Sequence, residues 1–419
     1  MNRTWIVIGW LCGWVIAAAN ACAVEPYQLT GQFIELTTDL DDRDEAQTLV
    51  TSFDAAVPQW IAFGNLADDV AQGWKVKAFV MQDKSVFMNR GWIPLRVPDF
   101  PFGYAIDDSV WVLAQPSQYY TRHLLLHEGA HSFAFHAFDG AGPMWFMEGS
   151  AELLATHNGH GERTQTIAIP DHRDDVPYWG RFKKLDQLRS AGTTPPIETV
   201  MNYPPTLTGD IESYSYSWAA ASMFAAYPEY RPGFLRALRR GRDTSKNFNR
   251  QFYTPLAAHW PVVAARWRLL AHDFDFGFDW DQQRVELSTD DPLWNGQPIE
   301  LSIEANRGWQ SAGVRLPAGA TVRVRASGEI VLDDDPKPWI SQPPGVTIRY
   351  HHGKPLGQLI ACVLPNQTPR QGDLPPLVIE AVGDEATISV DVHSWLLLKV
   401  NDAVGDLDDN QGSLDVVIQ

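Results

Sequence analysis

The chain has 419 residues, of which 45% are hydrophobic and 20% are charged, and its formal net charge at pH 7 is −18. A chain of this length and composition can bury two or three domain cores and is not intrinsically disordered. The negative charge argues against nucleic acid and anionic membranes as partners, because both are bound through Lys and Arg.

The first 23 residues have the pattern of a bacterial-type secretory signal peptide. Arg3 precedes an uncharged apolar run over residues 4–19, and small residues between 19 and 23 offer two cleavage frames. An uncleaved membrane anchor is the alternative, but the run is short for a bilayer span. The residues before Cys22 match a lipid-attachment box poorly. We therefore expect a secreted or periplasmic protein with no lipid anchor and no transmembrane helix in the mature chain.

Residues 24–285 are expected to form one domain, whose first part, up to about residue 115, is mixed α/β. Strands are predicted at residues 33–38, 75–80 and 109–113. Helices are predicted at residues 44–63, 119–138, 144–155, 214–226, 234–238 and 261–271. Pro58 is expected to kink or end the first helix near Val57. The polar segment 160–212 is expected to be irregular.

Residues 295–419 follow a change of composition and contain short β-rich runs bounded by Gly, Pro and Asp. These runs cover residues 299–303, 320–325, 345–350, 377–381, 386–392, 395–400 and 413–418. Runs at this spacing predict a β-sandwich. The fold class expected for the whole chain is therefore α+β with a C-terminal all-β sandwich.

The predicted helix over residues 119–138 carries the pattern H-E-x-x-H at His127, Glu128 and His131. Residues four apart share a helix face, so both imidazoles can bind one tetrahedral Zn²⁺. Glu128 can then take a proton from zinc-bound water. The alternative is a surface helix with two unrelated histidines. The preceding three leucines argue against it, because polar groups on a buried helix need a partner.

The third ligand decides the class of zinc site. A metzincin would have Gly at position 134 and His at position 137, and both are Ala here. The other solution is a carboxylate on the next helix, where Glu148 lies among Trp, Phe and Met after a Gly/Pro turn. Glu152, one turn further on, can accept the second N–H of a ligating histidine. Solvent exposure is the alternative for Glu152.

The segments HLLLHEGAH, ending at His131, and WFMEGSAE, ending at Glu152, resemble those of gluzincin peptidases, in particular the peptidase-MA-like group of secreted bacterial proteins. The resemblance covers residues 28–270. It implies a zincin-like metallopeptidase domain with a mixed sheet and active-site helices. It also implies zinc held by His127, His131 and Glu148, with Glu128 as general base.

The same resemblance implies two further features of the site. The family often has a tyrosine on a later helix that donates a hydrogen bond to the oxyanion, and Tyr214 matches it best, with Tyr216 second. Simple packing of both tyrosines is the alternative. The strand near residues 109–113 is expected to pair with an extended peptide substrate.

An acidic loop near the C-terminus, residues 401–414, is rich in oxygen ligands suited to Ca²⁺. It resembles the calcium loop of the bacterial galactophilic lectins, and the likeness covers residues 295–419. The resemblance implies side-chain ligands from Asp402, Asp409 and Asn410, and a backbone carbonyl from Asp406. Calcium in that family bridges sugar hydroxyls, which implies a carbohydrate partner. A solvated acidic turn is the alternative for this loop.

Together these features favour a secreted zinc peptidase that acts on a peptide or protein, with or without attached glycan, and carries an accessory calcium- and carbohydrate-binding sandwich. The alternative is a non-catalytic glycan-binding protein on a zincin scaffold. That alternative would be expected to have lost a ligand or the base, and all four core residues are present. A zinc hydrolase of a non-peptide amide or ester would use the same chemistry.

Overall fold

The computed structural model describes residues 25–367 and 372–419. The predicted signal peptide, with its cleavage frames, lies outside these residues. Within the described part, no helix has the length and apolar character needed to cross a bilayer. Cys362 is a free, buried thiol. The chain combines a helix-rich N-terminal region with a β-rich C-terminal region.

A five-stranded sheet organises the N-terminal region. Its strands are β1 (Tyr27–Thr30), β2 (Ile34–Thr38), β3 (Val76–Met81), β4 (Gly103–Ile106) and β5 (Ser109–Leu113). They lie in the order β1-β2-β3-β5-β4. The central strands β2, β3 and β5 are parallel, whereas β1 and β4 are antiparallel to their neighbours at the two edges. A mixed sheet was expected here, and the three predicted strands are present.

Eleven α-helices are found among the described residues. They are α1 (Arg43–Gly64), α2 (Lys84–Asn89), α3 (Gln118–Phe138), α4 (Met144–Ala155), α5 (Arg181–Ala191), α6 (Ile197–Met201), α7 (Ile211–Ala226), α8 (Arg231–Leu238), α9 (Lys246–Tyr253), α10 (Trp260–Asp273) and α11 (Trp280–Gln283). A small ladder joins β6 (His157–Asn158) to β7 (Gln165–Thr166). All six predicted helices are present.

The first helix continues through Pro58, so the predicted break near Val57 is wrong. Proline removes one hydrogen bond, the one that the carbonyl of Asp54 would accept. Pro58 is exposed, so its ring faces solvent, where water can satisfy that carbonyl. The opposite face buries Val57 and Trp60 in the core, which holds the helix on both sides of the proline.

The segment 160–212, expected to be irregular, contains the two helices α5 and α6. The sequence of α5 is polar, with five charged residues among eleven, which obscured its helical character. Arg181, Phe182, Leu185 and Leu188 nevertheless form a buried stripe at helical spacing. This correction matters because α5 carries a side chain to the candidate metal centre.

Helices α3, α4 and α7 pack closely and position the candidate metal centre. A Pro143 turn separates α3 from α4, which lets α4 fold back against α3. Gly149 of α4 faces the backbone of α7, where an added Cβ would lie 2.3 Å from the carbonyl oxygen of Ser217. Only glycine allows this close approach. The crossing brings Glu148 and Tyr214 to the same side of α3.

The C-terminal region is a two-sheet sandwich, as the sequence predicted. Its strands are β8 (Ile299–Glu304), β9 (Gln310–Leu316), β10 (Thr321–Ser327), β11 (Ile330–Val331), β12 (Ile340–Ser341), β13 (Val346–His351), β14 (Lys354–Leu356), β15 (Leu359–Pro365), β16 (Ile379–Ala381), β17 (Glu385–Ser389), β18 (Ser394–Val400) and β19 (Gln411–Ile418). One sheet has the path β12-β11-β19-β10-β17 with β8 on β19, the other has the order β16-β15-β18-β9, and β13 and β14 form a separate two-stranded ladder. Their inner faces share a core that includes Val324, Leu398 and Val416.

The two regions meet through a buried ionic contact. Asp273, at the end of α10, lies 3.3 Å from the Lys399 ammonium of β18 and accepts a 2.7 Å hydrogen bond from the Trp309 indole. The nearby ammonium and imidazole groups keep the pKa of Asp273 well below its usual range despite burial. Leu374 and Val404 also contribute to the core of the first region. The domain boundaries at 285 and 295 remain predictions.

Candidate metal centre

Three side chains from α3 and α4 converge on one point. The Nε2 atoms of His127 and His131 are 3.2 Å apart. The Oε2 atom of Glu148 lies 3.2 Å from Nε2 of His127 and 3.3 Å from Nε2 of His131. The three atoms thus form a nearly equilateral triangle. All three side chains are at most 10% exposed.

This triangle has the dimensions of a metal-binding site. Ligand atoms about 2.0–2.1 Å from a tetrahedral zinc ion lie roughly 3.3–3.4 Å from one another. Glu148 Oε2 is buried and has no hydrogen bond of good geometry, although two imidazole nitrogens lie close to it. An unsatisfied buried carboxylate oxygen is costly unless a cation binds it. These buried His and Glu groups could therefore hold a metal ion.

Glu128 follows the first of these histidines and lies against the edge strand β4. A Cβ added at Gly103 would come within 2.6 Å of Glu128 Oε1, so this carboxylate rests directly on the strand backbone. Burial, aided by the negative charges of Glu148 and Glu152, raises the pKa of Glu128 to about 8. A carboxylate with a raised pKa beside a metal-binding group is suited to accept and release a proton.

Glu152 lies behind the triangle and is completely buried, so the alternative of an exposed residue does not hold. Its Oε1 atom is 3.4 Å from Nδ1 of His127, and its Oε2 atom is 3.2 Å from Nε2 of His123. Arg181 donates a 2.5 Å hydrogen bond to Oε1. The Arg181 guanidinium holds the pKa of Glu152 well below its usual range. Arg181 was not found from the sequence, because its helix was not predicted.

Of the two candidate tyrosines, the structure places Tyr214 in the site. Its ring centroid is 6.0 Å from that of His127, and its hydroxyl accepts a 3.0 Å hydrogen bond from the Gly209 amide. The hydroxyl proton of Tyr214 stays available for donation. Burial and the nearby Glu148 raise its pKa, so the phenol stays protonated. Tyr216 instead points to the Thr193 carbonyl, 3.3 Å away.

The strand next to the centre differs from the one expected to bind substrate. Strand β5 (Ser109–Leu113) pairs with β3 on one side and β4 on the other, so its backbone groups are already used. The expectation that this strand pairs with a peptide is therefore wrong. The sheet ends at β1 on one side and at β4 on the other, and Gly103, the first residue of β4, lies against Glu128. Strand β4 is short and follows a Pro/Gly-rich loop, so it was not predicted from the sequence.

Other histidines lie away from the triangle. His157 is fully buried: Arg122 donates a 2.8 Å hydrogen bond to its Nε2, and its Nδ1 lies 2.7 Å from the Ala155 carbonyl. His160 is exposed. His136, one register position away from the metzincin pattern, stacks on Trp74 and does not reach the centre.

The acidic loop near the C-terminus is only partly assembled. Asp402 and Asn410 are buried, and the Asn410 amide donates a 3.1 Å hydrogen bond to Asp402. Burial raises the pKa of Asp402 to about 6. Asp406 and Asp409 are exposed. Among the described residues, the acidic and histidine groups close enough to hold a metal are those around His127 and do not include this loop. Calcium binding here stays a prediction.

Comparison with known proteins adds little to this geometry. No protein-family model matches the sequence, and no curated protein matches it. One solved structure, described as "EclA N-terminal domain; PllA-like lectin", is similar over 29% of this chain and 93% of its own, with 21% identity and a TM-score of 0.21. At that TM-score the likeness carries no argument about fold or function.

Proposed function

We propose that the protein is a secreted zinc-dependent peptidase with a gluzincin-type centre. The observation that carries the proposal is the triangle of His127, His131 and Glu148 ligand atoms, whose edges of 3.2–3.3 Å match tetrahedral zinc coordination. The donor set of two imidazoles and one carboxylate suits zinc and leaves a fourth position for water or substrate.

The residues around the triangle have roles that suit hydrolysis. Zinc, when bound, acidifies water and polarises a carbonyl. Glu128 takes the proton from the attacking water and later passes it to the leaving amine. Tyr214 donates a hydrogen bond to the oxygen on which negative charge develops. Glu152 fixes the ring of His127 from behind.

The position of β4 supports a peptide substrate. An extended peptide can add to a free sheet edge through backbone hydrogen bonds, and β4 provides such an edge. Gly103, the first residue of this strand, lies against Glu128, so a peptide added to β4 would lie near the proposed base. An ester or a non-peptide amide would gain nothing from a strand edge. This contact favours peptide hydrolysis over the other zinc-dependent reactions.

The remaining parts of the proposal rest on the sequence. The N-terminal pattern supports export to the periplasm or medium. The sandwich, with Asp402, Asp406, Asp409 and Asn410 as calcium ligands, would hold the enzyme near glycans or glycosylated substrates. Asp402 and Asn410 are already in contact, which is compatible with a shared ion.

The test is hydrolysis of casein and of a quenched-fluorescent peptide library by the zinc-loaded protein, beside Glu128→Gln. Glu128→Gln keeps the side-chain shape but cannot take a proton, so activity should fall by about 10²-fold or more while zinc content stays unchanged. Activity that is equal in the variant would reject Glu128 as the base. If the zinc-loaded protein cleaves no peptide but binds a glycan on a glycan array, the non-catalytic alternative replaces this proposal.

A further inference from the structure

Arg181 is a cation inside the protein that none of the roles above requires. Its side chain is 4% exposed, and it comes from α5, well separated in sequence from the zinc-binding pattern. Burying a guanidinium is expensive unless it is paired and hydrogen-bonded. The structure pairs it with Glu152, through a 2.5 Å hydrogen bond from Nη2 to Oε1.

That hydrogen bond is made to the oxygen that faces the metal centre. Oε1 of Glu152 is the atom 3.4 Å from Nδ1 of His127, whereas Oε2 faces His123. A carboxylate contacted only by histidines could rotate and exchange its two oxygens. The hydrogen bond from Arg181 fixes the position of Oε1. This sets the orientation of the whole Glu152 carboxylate, which in turn orients the His127 ring.

The charge of Arg181 also limits what else can bind here. His123, His127 and Glu152 form a second group close enough to hold a metal ion. A divalent ion at that position would lie next to the guanidinium bound to Glu152 and would be repelled by it. Arg181 therefore occupies the place of a second cation and leaves the first centre as the favoured one.

The other side of Arg181 faces the candidate oxyanion donor. Its guanidinium carbon is 5.6 Å from the centroid of the Tyr214 ring, within the range of a cation–π contact. One side chain thus borders both the support of the ligand His127 and the group that would stabilise the oxyanion.

We propose that Arg181 is a positioning residue of the metal centre, acting through Glu152 to fix His127 for single-metal binding. The inference rests on the proposed metal centre but not on peptide hydrolysis. It predicts that Arg181 affects metal affinity although it contacts no metal ligand in the triangle directly. Supporting residues of this kind typically change metal affinity by about 10–100-fold.

The experiment is a double-mutant cycle read by metal affinity. Co²⁺ is titrated into metal-free protein and followed by its visible absorption, for wild type, Arg181→Met, Glu152→Gln and the double variant. Each single variant should weaken Co²⁺ binding about 10–100-fold. The double variant should be no weaker than the worse single variant, because both changes remove the same contact.

The matched control is Arg189→Met on the same helix. Arg189 is also largely enclosed but donates to the carbonyls of His272 and Phe274, away from the centre. The Co²⁺ affinity of the Arg189→Met variant should equal that of wild type. If Arg181→Met does not fold, Arg181→Lys serves instead, and it should weaken binding because the lysine side chain is shorter and its ammonium is more strongly hydrated.

The outcomes separate this inference from the proposed function. Wild type that binds no Co²⁺ rejects the metal centre itself. Wild type that binds one Co²⁺ while Arg181→Met or Arg181→Lys binds equally well rejects the role of Arg181 alone. Effects of Arg181→Met and Glu152→Gln that add in full would also overturn it, since they would then act independently.

Discussion

His127 and His131 point their Nε2 atoms at each other across 3.2 Å, inside the protein. A neutral imidazole carries one N–H, so two facing ring nitrogens can share at most one hydrogen unless a ring becomes charged. Glu148 adds a carboxylate oxygen equally close to both nitrogens. A metal ion between the three atoms would accept an electron pair from each of them, which is why this arrangement favours a bound metal.

Gly103→Ala should reduce catalysis without loss of zinc. The new Cβ would lie 2.6 Å from Glu128 Oε1, so the carboxylate must move away from its position beside the metal centre. A displacement of this size can lower the rate about 10²-fold. The measurement is kcat/KM with zinc content determined on the same sample. Gly233→Ala, where an added Cβ would have ordinary contacts only, is the control. An unchanged kcat/KM in Gly103→Ala would contradict the assigned position of the base.

Tyr214→Phe and Tyr216→Phe should behave differently. Both remove one hydroxyl, but only the Tyr214 ring lies beside His127, while the hydroxyl of Tyr216 points to the Thr193 carbonyl. Loss of an oxyanion donor typically lowers kcat about 10²–10³-fold. We expect a decrease of this kind in Tyr214→Phe, with zinc affinity unchanged, and wild-type kcat in Tyr216→Phe. Equal kcat values for the two variants would show that Tyr214 only packs.

The core of the candidate centre was predictable because it depends on local spacing. Helical periodicity places His127 and His131 on one face, and the apolar surroundings of Glu148 mark a carboxylate that needs a cation. Both inferences require only a helix, a turn and a second helix. The structure assembles these residues as the spacing predicts.

The parts that were missed depend on tertiary contacts. Arg181 reaches Glu152 from a helix whose polar sequence gave little indication of burial. The buried His157 likewise depends on a hydrogen bond from Arg122, which lies 35 residues earlier in the chain. Which strand forms the free edge is fixed by sheet order, so the sequence near residues 103–113 could not distinguish β4 from β5.

The stability of the sandwich without calcium should depend on pH through Asp402. Its pKa is about 6 in the folded protein, above the ordinary value of 3.8, because the carboxyl is buried. The protonated form therefore favours folding. This contribution is fully present below about pH 4 and is lost as the pH rises through about 6, up to about 3 kcal/mol in total.

Thermal or denaturant unfolding of the chelator-treated protein, from pH 4 to pH 7.5, measures this effect. Wild type should lose stability across that range more steeply than Asp402→Asn, which cannot titrate. Calcium should restore wild type at pH 7.5, since the ion binds the carboxylate form and not the acid. Parallel pH profiles for the two proteins would show that Asp402 does not titrate in this range.

Metal content of the purified mature protein tests the central claim most directly. Elemental analysis is made on wild type, on Glu148→Ala, and on Glu162→Ala as a control for loss of an exposed carboxylate. The proposed centre predicts about one zinc per chain in wild type and in Glu162→Ala, and most of it lost in Glu148→Ala. Wild type without zinc after supplementation, or Glu148→Ala with its zinc fully retained, would contradict the centre.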